Sequence, residues 1–169
     1  MLVELFDYVW GTVLWQLYNL TGDATWRGAA QNWTRGLANM QREWALQHDF
    51  GFVYLPSFYE EFQATGSEAA RRQLLAAAEA SAWAFNPKTG SLRTFEGWEP
   101  PGGTSLNKQV VIIDFMMNIE LLMVGAALGG PRSWLDAGPQ DWVDMAVSHA
   151  RQVAKNHIRP DNSTYHVVE

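Results

Sequence analysis

Cysteine is absent from the 169 residues, which excludes a disulfide framework and any thiolate metal site and points to a reducing compartment, the cytoplasm. Long apolar runs are absent too. The first twenty residues are apolar, but Glu4 and Asp7 stand where a signal peptide would carry positive charge, and the segment is too interrupted to span a bilayer. Basic residues are scarce, 12 Lys and Arg against 18 Asp and Glu, for a net charge of -6 spread without runs. Phosphate backbones require a basic stripe, so nucleic acid is not an expected partner, and neither is a membrane. The chain has no GxSxG elbow, no GxxxxGK[ST], no GxGxxG and no HExxH. Serine-nucleophile, nucleotide-binding and zinc-protease chemistries fall away with them, and no metal or cofactor is expected.

What is abundant is tryptophan, nine in one short chain. Indole faces serve either as core filling or as stacking platforms for sugar rings and other flat ligands. The length suits one domain with a real core, residues 1–169.

Helical periodicity runs through most of the sequence. Residues 2–20 and 24–45 read as a first helical hairpin, turning at Thr21-Gly22-Asp23. Residues 52–64, with Pro56 in the early turns, and the alanine-rich 68–85 read as a second, turning at Thr65-Gly66. Residues 86–104 form a long loop rich in glycine and proline, with a short alternating run from Ser91 to Phe95 that suggests a small strand pair. The stretch QVVIIDFMMNIELLMV, 109–124, is apolar at twelve of sixteen positions on every side of a helical wheel, the pattern of a helix surrounded by protein. It closes near Gly129-Gly130-Pro131, and a last helix spans about 140–157. The tail breaks at Pro160, turns at Asp161-Asn162 and ends as a strand would begin. Three hairpins thus share one plan, with Gly22, Gly66 and Gly129 marking the register and the first helix of each pair the more apolar. Such an array is either an open solenoid or a closed toroid.

Two acids stand out by setting. Asp114 and Asn118, four residues apart, make a narrow polar stripe on the apolar central helix, and Asp49 follows His48 at a helix boundary. Burial raises a carboxyl's pKa while a helix N-terminus lowers it, so two such acids can divide acid and base roles. Each could equally be a helix cap or half of an ion pair. His48 could orient Asp49, bind ligand or be structural. His149 and His157, eight apart on the last helix, match no zinc pattern and are expected on its solvated face. His166 sits in a polar cluster after the tail's turn, where it could reach a ligand.

HDFGF at 48–52, VVIIDFMMN at 110–118 and IRPDNSTYHVV at 158–168, in that order, resemble the unsaturated glucuronyl hydrolases, glycoside hydrolase family 88. LWQLYNLTGD at 14–23 and FNPKTGSLRTFEGW at 85–98 add to the likeness, which favours this family over the unsaturated rhamnogalacturonyl hydrolases. The resemblance implies an all-α fold, an (α/α)6 toroid of helical hairpins with its site in the hollow, here incomplete at about three hairpins. It implies a substrate, oligosaccharides left by polysaccharide lyases with a C4=C5 unsaturated uronic acid at the non-reducing end, cleaved by hydration of the vinyl ether. Asp114 would be the proton donor and Asp49 its assistant, with His48, Trp98, Asn118 and His166 binding substrate. Two departures stand out: Glu120 occupies a position where the family has proline, and the opening MLVELFDYVWG matches poorly. The contrasting expectation is a non-catalytic helical-hairpin binding or scaffold protein derived from such a hydrolase.

Overall fold

The computed structural model describes residues 7–42, 48–94, 110–129 and 139–168. Helix α1 (Asp7–Thr21) turns at Gly22 into α2 (Ala24–Gly36), and a 3-10 turn follows at Met40–Arg42. Helix α3 (Phe50–Tyr54) continues through a widened π-type segment, Leu55–Tyr59, into α4 (Glu60–Thr65), and α5 (Glu68–Ala82) returns beside it. Strands β1 (Phe85–Asn86) and β2 (Ser91–Leu92) form the expected small antiparallel pair. Strand β3 (Val111–Ile112) leads into α6 (Phe115–Ala127), then come α7 (Pro139–His157) and β4 (Val167–Val168), which pairs antiparallel with β3.

The hairpin turns follow from local chemistry. Gly22, Gly66 and Gly129 all adopt left-handed φ of 67–69°, a conformation that costs glycine nothing. Asp23 then caps α2 by accepting from the Thr25 amide at 2.8 Å, and Ser67 caps α5 through the Ala70 amide at 3.2 Å. Pro56 lacks an amide hydrogen and would clash in a regular helix, and the wider turn accommodates it. The Pro56 carbonyl accepts a hydrogen bond from Thr12 of α1 at 3.1 Å, which ties the first hairpin to the second.

Two boundaries differ most from the sequence reading, beside shifts of two or three residues at the start of α3 and the end of α5. Helix α2 stops at Gly36 rather than near residue 45, because Leu37 turns into the core and Asn39 takes a left-handed φ of 65° with its amide held by Gln73. The central helix begins at Phe115 rather than Gln109. The β-branched run ahead of it prefers extended backbone, and the tail supplies a strand for it to pair with. Nor is α6 enclosed on every side, since Glu120 and Met123 reach solvent.

Helix α1 packs on α2 and on the widened turn, α3 packs on α6, and α6 lies between α5 and α7. The first members of the hairpins therefore touch one another in sequence. Trp15 and Thr34, both fully buried, join the first hairpin through an indole-to-hydroxyl bond of 3.0 Å. Trp142 is also core, whereas Trp10, Trp33 and Trp83 are exposed. The described helices include none long and apolar enough to cross a membrane.

Where α5, α6 and α7 converge, a Cβ on Gly125 would lie 2.5 Å from that of Ala78 and 3.0 Å from the Trp142 ring. Gly125→Ala should lower stability by about 1–3 kcal/mol, read as a lower urea midpoint with unchanged slope. Gly28 of α2 meets nothing within 4 Å, so Gly28→Ala should instead raise the midpoint.

Candidate active site

The site grows from the contact of α3 with α6. A Cβ on Gly51 would stand 2.3 Å from the carbonyl carbon of Met117, so the two backbones touch and only glycine fits. The same contact lets Asn118 Oδ1, fully buried, accept the Gly51 amide at 2.6 Å. Because Asn118 satisfies that amide from across the interface, Asp49 occupies the N-cap position of α3 without using its side chain as the cap. Asp114 at the N-cap of α6 likewise makes no capping bond. Two carboxylates are thereby left at the same end of neighbouring helices, which argues against the helix-cap reading of both.

Each carboxylate has a histidine beside it. His48 Nε2 lies 3.4 Å from Asp49 Oδ2, and His166 Nε2 lies 3.6 Å from Asp114 Oδ2. Asp49 is buried, whereas Asp114 and especially His166 face solvent. Burial pushes the Asp49 carboxyl above the ordinary range, the neighbouring His48 pulls it back, and the charge of Asp114 adds to the rise. The two acids stand at the starts of α3 and α6, the helices that meet at Gly51 and Met117. His166 arrives from the tail: its carbonyl accepts the Ile113 amide at 2.9 Å beside the β3–β4 pair, one residue ahead of Asp114. Thr94 holds the other edge of this segment, donating its amide to the Val110 carbonyl at 2.8 Å and accepting the Ile112 amide on its hydroxyl at 3.1 Å.

The fold thus brings together Asp49, Asp114, His48, Asn118 and His166, five of the six positions singled out by sequence. Trp98 lies outside the described residues. Among the described residues no group of three His, Asp or Glu is placed to hold a metal ion.

No family model matches the chain. Individual proteins do. The chain is 31% identical over 160 residues to an unsaturated glucuronyl hydrolase of Formosa agariphila, covering 92% of this chain and 36% of that protein. It is 30% identical over 165 residues to an unsaturated chondroitin disaccharide hydrolase of Streptococcus pyogenes, covering 96% and 38%. The crystal structure of an unsaturated glucuronyl hydrolase specific for heparin superposes with a TM-score of 0.78 at 29% identity, over 96% of this chain and 39% of that one. Over nearly its whole length the chain is similar to unsaturated glucuronyl hydrolases. It spans less than two fifths of the length of these relatives. Its helical hairpins match part of the helical toroid of those structures.

Two histidines are not where the sequence reading put them. His149 and His157 are 0% and 1% exposed rather than on a solvated face. They continue the inward stripe Trp142, Ala146, His149, Val153, His157, a spacing legible in the sequence that their polarity masked. Each ring is tied to backbone: His149 Nδ1 accepts the Leu92 amide at 3.1 Å, and His157 Nε2 donates to the Val111 carbonyl at 3.2 Å. Burial, helped by the neighbouring His157, pulls the pKa of His149 down to about 4. Gly51 and Thr94 were not foreseen. The glycine within HDFGF was the available signal for a close backbone approach.

These shifts predict opposite pH dependences. The folded chain disfavours an ionised Asp49, a penalty absent below the ordinary carboxylate range and fully present above the raised pKa. Asp49→Asn should therefore melt higher than the unaltered chain at pH 7.5, and the gap should close toward about pH 4. His149 resists protonation only when folded, so stability should fall as pH drops from about 6.5 toward 4. Thermal melts of His149→Gln should show a shallower fall over that window.

Proposed function

We propose that this site hydrolyses oligosaccharides bearing a C4=C5 unsaturated uronic acid at the non-reducing end, and that it does so by hydrating the double bond. The observation that carries the reading is the pair of uncapped aspartates at adjoining helix starts, each with a histidine beside it. A scaffold has no use for such a pair, since a carboxyl buried at residue 49 costs stability unless it is used. Relatives named for unsaturated glucuronyl and unsaturated chondroitin disaccharide substrates support the substrate class.

In the proposed reaction Asp114, the more open acid, gives its proton to C4 of the vinyl ether. The positive charge left at C5 is shared with the ring oxygen. The Asp114 carboxylate then takes a proton from the water that adds at C5, which returns the acid to its starting state. The resulting hemiketal opens to a ketone, and the sugar bond at C1 comes apart as the ring is lost. Asp49, raised toward its protonated form, holds the uronate ring through hydrogen bonds and limits the negative charge beside Asp114. His48 and His166 contact substrate, Trp98 stacks on it by likeness to the family, and Asn118 serves from within the core by fixing α3 on α6. We place this work in the cytoplasm, where a chain without cysteine is at no disadvantage.

The test follows the absorbance of the conjugated uronate in a lyase-generated unsaturated chondroitin disaccharide. The unaltered chain should bleach it, and Asp114→Asn should lower kcat by about 100-fold to 10,000-fold while the circular dichroism spectrum stays the same. Bleaching that survives the substitution undiminished would dispose of the proposed acid.

A further inference from the structure

The tail from Pro160 to His166 is exposed at every residue, so no apolar burial holds His166 against Asp114. A polar bracket does this instead, and it converges on Arg159. The Arg159 Nη1 donates to Ser163 Oγ at 3.0 Å and to the Thr164 carbonyl at 2.7 Å, while its guanidinium lies 3.7 Å from the centre of the Tyr165 ring. Its backbone closes the same turn, with the amide on the Ser163 carbonyl at 2.8 Å and the carbonyl accepting the Asn162 amide at 2.9 Å. Asp161 secures the turn from inside, accepting both the Ser163 amide and hydroxyl on Oδ1. One arginine therefore touches the three residues that precede His166. Beyond it, the Tyr165 amide bonds the His157 carbonyl at 2.8 Å and the His166 carbonyl takes the Ile113 amide.

We propose that Arg159 is a positioning residue that sets His166 against Asp114, acting through Thr164 and Tyr165 and not by touching substrate. The proposal rests on the reading of the site given above. The planar guanidinium suits the arrangement, because one nitrogen donates to two oxygens while the flat, charged group lies over a ring. A lysine ammonium supplies the charge without that flat face.

The test compares Arg159→Met and Arg159→Lys in the full chain. Both should melt within a few degrees of the unaltered chain, because the bracket lies outside the core. On the unsaturated chondroitin disaccharide both should lose kcat/KM on the order of tenfold to a hundredfold, with lysine giving no full rescue. In a His166→Ala background, Arg159→Met should cost nothing further, since two residues acting as one unit are not additive. A readout free of turnover accompanies these: the NMR resonance of the His166 ring should move on Asp114→Asn, and move far less when Arg159 is already methionine. Additive losses, full rescue by lysine, or an undiminished His166 response would each overturn the proposal. A chain that turns over no disaccharide at all would instead count against the proposed function, and the NMR comparison would then decide the role of Arg159 alone.

Discussion

The arrangement depends on one backbone contact, Gly51 of α3 against Met117 of α6, with no room between them for a side chain. From that contact follows the Asn118 bond to the Gly51 amide. An orphan amide at a helix start has to be satisfied by something, and the usual donor of that service is the N-cap side chain. Here a residue from the neighbouring helix supplies it, so Asp49 is relieved of a structural duty. The packing of two helices thereby decides the chemistry available at a third position.

The acids are held in unlike surroundings. Asp49 is buried with His48 at its side, and Asp114 opens toward the solvent-facing His166. Burial, with the charge of Asp114 nearby, favours the protonated form of Asp49. Holding an acid in this way subtracts from stability, and close packing such as the seam of α5, α6 and α7 around Gly125 and Trp142 works in the opposite direction. The buried His149 and His157 belong to the same economy of structure, serving as neutral partners for backbone groups of the strand segments.

Much of this was open to inspection in the residues. The glycine turns, the capping Asp23, the helix over 140–157 and the small strand pair near Ser91 are governed by local preferences, and they stand where those preferences put them. The residues gathered near the starts of α3 and α6 lie in short, contiguous stretches of sequence, HDFGF and VVIIDFMMN. What misled was context: the stretch 109–124 reads as one helix until a tail strand more than fifty residues later competes for its start, and polar histidines read as solvated until their neighbours close over them.

By itself the sequence determined the hairpins, their turns and the pairing of an acid with each of two helix starts, since these depend on neighbours within a few residues. Only the tertiary structure decided that α3 and α6 meet at a glycine, that Asn118 and not Asp49 caps α3, and that the tail folds back to bring His166 to Asp114. Those outcomes join positions between 52 and 67 residues apart, and no local preference of the chain reports on the distance between them.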